Sequence, residues 1–156
     1  MNRVVRMLEK LSSLLRRKYS PSELGRRGER RAASYYRLRG YRIVSKNARY
    51  EEGEIDLVVK RWRVVAFVEV KTRQGLTFGA PHEAVDQRKR QKLFELAERY
   101  LRDPKLSGCD VRFDVVSLLW NGFRFELTHY GDAFRPIAAA GRPWKWSGSG
   151  RIARKR

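Results

Sequence analysis

Apolar positions at the start of the chain follow the spacing of an α-helix. Residues 4–17 place valines and leucines on one stripe with basic residues around it, which predicts an amphipathic helix. Such a helix packs on the protein core or on a partner chain, and a basic amphipathic helix also suits an anionic membrane surface. No run approaches the roughly 18 apolar residues of a membrane span, so no integral membrane segment is expected.

A second helix is predicted between Ser20 and about Arg39. Ser20 is a suitable N-cap, Pro21 stands at the first helical position, and Glu23 follows three residues after the cap. Gly40 is the type of residue at which helices commonly end. The segment therefore carries both a start signal and a stop signal.

Three segments rich in β-branched and aromatic residues follow this helix and predict strands at 41–49, 54–60 and 63–71. A tight turn around Arg61 and Trp62 would pair the second and third strands as a hairpin. The next residues, 72–81, contain glycines and a proline and are expected to form a loop.

The second half of the chain predicts one more helix and a further hairpin. The helix covers about 82–102 and has apolar side chains on one face. Strands at 111–120 and 123–130 flank Asn121 and Gly122, a dipeptide typical of tight hairpin turns. The order of elements indicates an α/β fold with a mixed central sheet flanked by helices.

Length and composition favour one folded domain with an extension at each end. The 156 residues suffice for a single hydrophobic core, and we assign 20–133 to that domain and 1–19 to the amphipathic helix. Residues 134–156 are expected to be a flexible basic tail, because from Gly141 onward the chain has six basic residues and no acidic one.

The net charge is the strongest signal in the composition. Lys and Arg number 36 against 17 Asp and Glu, which gives a net charge of +19 at pH 7. Such an excess favours polyanionic partners, with nucleic acid first and an anionic membrane surface second. A charge that only keeps the protein in solution is the third interpretation.

Cysteine content and the first residues indicate the compartment. Cys109 is the single cysteine, which excludes an intrachain disulfide and a cysteine-based zinc site. Glu9 and Lys10 interrupt the apolar residues near the start, so no secretory leader is expected. The sequence therefore predicts a cytoplasmic protein.

Charged residues interrupt the most apolar strands at positions that a sheet would bring together. In the strand predicted at 63–71, alternation places Glu69 and Lys71 on the same face, near its end. A short hairpin turn would place Asp56 across from residues 67–69. Two carboxylates and an ammonium group are then expected to share one patch at the sheet edge.

Two chemical interpretations of this patch stay open. Two close carboxylates repel each other unless a cation lies between them, and Mg²⁺ typically takes one or two carboxylates with water and phosphate oxygens. Lys71 would then orient or deprotonate the attacking water, or stabilise charge on the phosphate. Alternatively, Lys71 forms a structural salt bridge with Glu69 or Asp56.

The order of these residues resembles a nuclease signature. Asp56 followed by Glu69-Val70-Lys71 resembles the PD-(D/E)xK superfamily, although Ile55 stands where that motif usually has a proline. A longer string between about 20 and 130 resembles the YraN family, which is similar to archaeal Holliday-junction resolvases. The string comprises Gly25-Arg26-Arg27-Gly28-Glu29, Gly40-Tyr41, Asn47-Ala48-Arg49, Gly53-Glu54-Ile55-Asp56, Val68-Glu69-Val70-Lys71-Thr72-Arg73, Phe78-Gly79 and Lys89.

The resemblance implies a restriction-endonuclease-like, three-layer α/β fold and metal-dependent hydrolysis of phosphodiester bonds in branched or otherwise structured DNA. It implies that Asp56, Glu69 and the backbone carbonyl of Val70 hold Mg²⁺ or Mn²⁺, with Glu29 completing the site directly or through water. Lys71 would activate the nucleophile. A homodimer is also implied, because resolvases of this kind make two symmetric cuts. The alternative is a nucleic-acid-binding protein that keeps the fold without turnover.

Two residues on predicted helices are expected to approach the patch. Glu29 shares a helix face with Ala32 and Ala33, so it faces protein rather than bulk water; it either joins the site or pairs with a nearby arginine. Lys89 lies on the apolar stripe of the helix predicted at 82–102. It either reaches the sheet edge as a phosphate ligand or extends past apolar neighbours towards water.

Candidate nucleic-acid contacts are basic and aromatic side chains near the patch and in the tail. We assign seven residues to this group: Arg49, Arg73, Lys89, Lys92, Trp144, Lys145 and Trp146. The two tail tryptophans would stack on unpaired bases or dock on the core. His82 and His129 lack metal-ligand spacing, and Asp114 is expected to pair with a neighbouring arginine.

Overall fold

Helices pack on both faces of a sheet of mixed strand direction. The computed structural model describes residues 19–75 and 85–135, together with Arg6 and the segments 144–146 and 152–153. Within these residues the α-helices are α1 (Pro21–Leu38) and α2 (Gln87–Tyr100), and a short 3₁₀ helix covers Pro104–Leu106. The strands are β1 (Arg42–Tyr50), β2 (Gly53–Arg61), β3 (Val64–Gln74), β4 (Asp110–Trp120), β5 (Phe125–Tyr130), β6 (Trp144–Trp146) and β7 (Ile152–Ala153). The mixed α/β architecture expected from the sequence is confirmed.

Helix α1 begins and ends where its local signals predict. The hydroxyl of Ser20 accepts a hydrogen bond from the backbone N–H of Glu23, which satisfies one of the free donors at the helix start. Pro21 occupies the first position, where its missing N–H has no cost. Gly40 has a φ of 78°, a left-handed conformation that glycine adopts without strain.

The sheet order places β3 in the centre, between β2 and β4. The neighbours run β1-β2-β3-β4, and β5 and β6 both pair with the remaining edge of β4. Strands β1, β2 and β3 pair antiparallel, whereas β3 and β4 pair in parallel along their whole length. A parallel pair needs a crossover, and α2 lies in the segment that makes it.

Each face of the sheet has its own hydrophobic cluster. Val65 and Phe67 pack on the α2 side, with Leu93 of that helix. Ala66 and Val68 pack on the α1 side, with Ala32 and Tyr36 among their neighbours. The alternation expected for the third strand is therefore confirmed, and β3 is apolar on both faces because helices cover both.

Some predicted boundaries were wrong. Strand β3 continues to Gln74, where a loop was expected from residue 72, because the parallel pairing with β4 extends to Trp120 opposite Gln74. Helix α2 begins at Gln87, later than residue 82, and the carboxylate of Asp86 caps it by accepting from the N–H of Lys89.

The turn between β4 and β5 is longer than the two residues that Asn121 and Gly122 predict. The side-chain oxygen of Asn121 accepts hydrogen bonds from the N–H groups of Phe123 and Arg124. An asparagine that bonds the backbone two and three residues ahead builds a wider turn. Strand β5 therefore starts at Phe125.

The two ends of the chain are only partly described. Of the helix expected at 4–17, only Arg6 is among the described residues. Phe134 is buried in the cluster on the α2 side, and two residues of β6 pair with the start of β4. The domain boundaries stay a prediction. No helix in the described part of the chain is long and apolar enough to cross a membrane.

Candidate active site

A carboxylate ends the pairing between β2 and β3. The antiparallel register stops at Leu57 opposite Val68. Asp56 precedes Leu57, and its Oδ2 accepts a hydrogen bond of 2.7 Å from the backbone N–H of Val70. The side chain thus replaces the carbonyl oxygen that a continued ladder would offer. The position of Asp56 agrees with the hairpin expected from the sequence.

Glu69 lies inside the protein next to this point and is only 2% exposed. Lys71 Nζ is 2.7 Å from Glu69 Oε1, and Lys89 Nζ is 3.4 Å from Glu69 Oε2. A buried carboxylate is costly unless cations or hydrogen bonds compensate it. The two lysines provide that compensation, and each side chain keeps about a third of its surface in contact with solvent.

The two lysines that contact Glu69 come from different elements, Lys71 from β3 and Lys89 from α2. The Lys71–Glu69 salt bridge is present, as the structural interpretation of the patch requires. Lys89 stands in the first turn of α2 and reaches the sheet edge, where it contacts the carboxylate of Glu69. The charges expected to form one patch are therefore together.

A close contact between α1 and β3 positions Glu29. A Cβ atom at Gly28 would lie 1.9 Å from Oγ1 of Thr72, so the helix can approach the strand only where it has a glycine. Glu29 follows directly and is half-buried. Its Oε2 accepts a hydrogen bond of 3.1 Å from Nδ2 of Asn47. Among the described residues, Glu29 forms no ion pair with Arg26 or Arg30.

Asn47 is a site residue whose role the sequence reasoning missed. In the antiparallel register of β1 and β2, Lys46 pairs with Leu57 and Ala48 pairs with Ile55. Asn47 and Asp56 lie between these pairs and are therefore neighbours on adjacent strands. Asn47 has a φ of 48°, in the left-handed region that asparagine tolerates better than most residues. An asparagine inside a strand-like segment was the available signal.

A cleft of about 230 Å³ opens beside Asp56 on the α1 side of the sheet. Its lining residues are Arg26, Glu29, Arg30, Lys46, Asn47, Asp56 and Leu57. Three of them are cations that the sequence analysis did not assign to the site. The cleft therefore combines the candidate acids with positive charge.

A second cleft of about 450 Å³ lies between α2 and the β1–β2 turn. Arg49, Lys89 and Lys92, three of the expected nucleic-acid contacts, are in its lining. Arg49 also pairs with Glu54 at 3.4 Å. Arg73 is exposed near the end of β3. The backbone of 144–146 forms β6, and the side chains of Trp144, Lys145 and Trp146 lie outside the described part.

The surroundings of Asp56 raise the pKa of its carboxyl group to about 7. Burial is the largest cause, and the nearby negative charge of Glu69 adds to it. The hydrogen bond from Val70 and the charge of Lys89 oppose the rise, and Glu29 contributes to it. A strongly perturbed acid at the edge of a cleft is typical of functional sites.

The donor atoms at this site suit a hard divalent cation. Among the described residues, Oε2 of Glu69 is buried and accepts no hydrogen bond. Of the two carboxylate oxygens of Asp56, Oδ2 has a hydrogen-bond partner there and Oδ1 has none. No group of three His, Cys, Asp or Glu side chains there is arranged to hold a metal ion. Mg²⁺ commonly binds through one or two carboxylates, with water and phosphate supplying the rest, so two oxygen donors suffice.

A separate buried network of hydrogen bonds surrounds Asp114. Asp114 accepts hydrogen bonds from Arg112, Tyr36 and the N–H of Asp132, and it contacts His129 at 2.9 Å. Burial favours a higher pKa for the Asp114 carboxyl, but the hydrogen bonds with His129, Arg112 and the N–H of Asp132 outweigh it and lower the pKa. The expected pairing of Asp114 with an arginine is confirmed, and His82 lies outside the described residues.

Comparisons with known proteins confirm the family that the sequence resembles. The profile described as "Uncharacterised protein family UPF0102" matches residues 28–118. A UPF0102 protein of Chlorobium phaeobacteroides is 38% identical over 74% of this chain and 95% of its own length. A UPF0102 protein of Syntrophotalea carbinolica is 40% identical over 74% of this chain and 94% of its own length. One of Trichlorobacter lovleyi is 42% identical over 71% of this chain and 89% of its own length. This chain therefore belongs to the UPF0102 family, which is the YraN family expected from its sequence.

Proposed function

We propose that this protein is a metal-dependent endonuclease of the PD-(D/E)xK type, with a restriction-endonuclease-like fold, that hydrolyses phosphodiester bonds in branched or otherwise structured DNA. One observation carries the proposal. The carboxylate of Glu69 is buried next to Asp56, and Asp56, whose pKa is raised, borders a cleft lined with cations. Asp56, Glu69, Val70 and Lys71 stand in the order of the superfamily motif.

The acidic residues would hold Mg²⁺ or Mn²⁺. Asp56, Glu69 and the backbone carbonyl of Val70 are the proposed ligands, with Glu29 acting directly or through water. An ion held by these residues would supply polarisation of the scissile phosphate and a more acidic water. The hydrogen bond from Val70 and the contact with Lys71 hold the two carboxylates in place before any ion binds.

Lys71 supports the chemical step. Its ammonium group has three N–H donors, and the contact with Oε1 of Glu69 uses one. The others are available to orient the attacking water or to stabilise negative charge on the phosphate. Lys89 approaches Oε2 of the same carboxylate and is a phosphate ligand on the α2 side.

Cations on both sides of the sheet edge would bind the DNA backbone. Arg26, Arg30 and Lys46 line the cleft beside Asp56, whereas Arg49 and Lys92 line the cleft beside α2. Contacts of this kind set affinity and position rather than sequence preference. A homodimer would place two such sites on one branched substrate, as in the resolvases that the sequence resembles.

The second candidate is a nucleic-acid-binding protein without turnover. The observation that favours it is the pair of lysines on Glu69, since a structural ion network would have the same short contacts. In that case the cationic clefts bind DNA and the acidic residues only stabilise the sheet edge. Metal binding at Glu69 separates the two functions.

A cleavage screen with matched variants tests the proposal. Junction, flap, single-stranded and duplex DNA are incubated with Mg²⁺ or Mn²⁺ and the wild-type protein. Glu69→Gln should abolish cleavage and weaken metal binding in calorimetric titration, because a ligand charge is lost. Lys71→Ala should stop cleavage yet leave metal binding measurable. Glu95→Gln is the control, because Glu95 is an exposed carboxylate on α2 that bonds Gln91.

Two results would contradict the nuclease proposal. One is cleavage by Glu69→Gln at the wild-type rate. The other is that Glu69→Gln and Lys71→Ala both melt at a lower temperature than the wild-type protein while their metal affinity is unchanged. A structural salt bridge would give this result. DNA binding that persists in this second case would establish the non-catalytic alternative.

A further inference from the structure

The turn between β2 and β3 presents a tryptophan to solvent. Arg61 pairs with Val64, and Trp62 and Arg63 lie between them as a two-residue turn. The side chain of Trp62 is 86% exposed. Tryptophan has a large apolar surface, and burying it is strongly favourable, so an isolated ring in water needs an explanation.

The backbone at Trp62 makes this position still less favourable for a bulky residue. Its φ is 53°, in the left-handed region where a side chain meets the following carbonyl group. Asparagine or glycine is the usual residue at such a turn position, because either one adopts this conformation at lower cost. Neither burial nor turn geometry accounts for tryptophan here, and strain of this kind is often retained for function.

Positive charge surrounds the exposed ring. Lys60, Arg61 and Arg63 flank Trp62 in the sequence, and the Arg61 guanidinium lies 5.5 Å from the centre of its ring. Lys60 and Arg63 donate to the backbone carbonyls of Lys105 and Gly108. These partners are neutral, and none of the three cations forms an ion pair with a carboxylate of the described residues. Their charge therefore stays available to an anionic ligand.

These two features match the two parts of a nucleotide. The aromatic ring can stack on the flat base, and the cations beside it can contact the charged phosphate. Stacking of a base on an aromatic side chain and cation contacts to the backbone are the usual means of binding single strands. Bases in the interior of a duplex are stacked on both faces, so only its two terminal pairs offer a free face. We infer that Trp62, with Arg61 and Arg63, is a stacking site for an unpaired base of a single-stranded nucleic acid.

This contact is separate from the candidate active site. Val64 and Glu69 are five residues apart on β3, which corresponds to roughly 17 Å along the strand. A strand bound at Trp62 could therefore leave the acidic residues open to another part of the same substrate. The inference rests on the nucleic-acid binding of the proposed function, but it does not depend on cleavage.

Fluorescence anisotropy in EDTA tests the inference without turnover. The probes are labelled oligo(dT) of about 20 nucleotides and a blunt duplex of the same length. Trp62→Asn should bind oligo(dT) about five- to tenfold more weakly than the wild-type protein and leave the duplex affinity unchanged, because one stacked base is lost. Trp62→Phe keeps a smaller ring and should show a smaller loss.

A thermal melt and a matched control exclude a folding effect. Trp62→Asn should melt at the same temperature as the wild-type protein or up to about 4 °C higher, because asparagine relieves the turn conformation. Phe123 is the matched residue, since it is an exposed aromatic side chain in the β4–β5 turn. Phe123→Asn should leave both affinities unchanged.

Specific results overturn the inference. Equal losses for oligo(dT) and duplex, or an unchanged oligo(dT) affinity in Trp62→Asn, exclude base stacking at this site. Sedimentation with anionic vesicles that requires Trp62, without any effect on oligo(dT), assigns the residue to a membrane surface instead. Failure of the wild-type protein to bind either probe removes this inference and the proposed nucleic-acid function together. Loss of cleavage activity alone, with Trp62-dependent binding intact, overturns only the proposed catalysis.

Discussion

Oδ2 of Asp56 lies 2.7 Å from the backbone nitrogen of Val70, so one proposed metal ligand also accepts a hydrogen bond from the central strand. If Asp56 binds the metal, its carboxylate has two functions, which different substitutions separate. Asparagine keeps an oxygen acceptor for the N–H of Val70 and removes the charge. Alanine removes both.

Asp56→Asn should therefore fold like the wild-type protein but lose metal-dependent cleavage. Asp56→Ala should lose cleavage and also be less stable by about 1–3 kcal/mol, since a half-buried N–H is left without an acceptor. Urea unfolding measures the stability difference, and calorimetric titration with Mn²⁺ measures metal affinity. Metal affinity that is unchanged in both variants would defeat the assignment of Asp56 as a ligand.

The raised pKa of Asp56 predicts a pH dependence of stability in the metal-free protein. The carboxyl has a pKa of about 7 in the folded chain and about 3.9 in an unfolded chain. Between these values the folded state binds the proton and the unfolded state has released it. The free energy of unfolding should consequently fall as the pH rises from about 4 to about 7. Urea unfolding in EDTA across this range measures the decline.

Asp56→Asn is the control for this pH dependence, because it has no proton to release at that position. Its stability should decline less than that of the wild-type protein, and it should be the more stable of the two at pH 8. The lowered pKa of Asp114 acts in the opposite sense, since its contribution is present above pH 4 and lost as the pH falls further. The two effects occupy different pH ranges. Identical pH profiles for variant and wild type would contradict the raised pKa.

The contact between α1 and β3 predicts opposite effects for two glycines of one helix. Gly28→Ala should destabilise the protein by about 1–3 kcal/mol, because its Cβ would meet Oγ1 of Thr72 at 1.9 Å. Thr72→Ala in the same chain should rescue part of the loss. Gly25→Ala is the control, since nothing lies within 4 Å of the added atom, and it should stabilise the helix by about 0.5–1 kcal/mol. Destabilisation of equal size at both positions would exclude the steric explanation.

The charge of the chain predicts a strong dependence of DNA binding on salt. With 36 basic residues, we expect contacts to about five to eight phosphates, and a slope of log K against log salt of roughly −4 to −7. Anisotropy titrations between about 50 and 200 mM salt measure this slope. Arg26→Gln with Arg30→Gln should make it shallower by up to about 2, because these cations line the cleft beside Asp56. A slope near zero would rule out a polyanionic partner.

Local signals in the sequence were sufficient for most of the secondary structure. Ser20, Pro21 and Gly40 predicted both ends of α1, because caps and left-handed glycines act within a few residues of chain. The alternation through β3 predicted its two apolar faces. Predictions failed at the end of β3 and at the start of α2, where a partner strand or a capping side chain decided the boundary.

The sequence by itself determined which charged residues interrupt the apolar strands and in what order, and this order was enough to bring Asp56, Glu69 and Lys71 together in the hairpin. Only the tertiary structure decided what each of them contacts. Lys89 is 18 residues beyond Lys71, and α2 returns it to Glu69 because the parallel pairing of β3 and β4 requires a crossover. Asn47 contacts Glu29 for a similar reason. The register of β1 and the packing of α1 bring the two residues together, and no local sequence pattern predicts either.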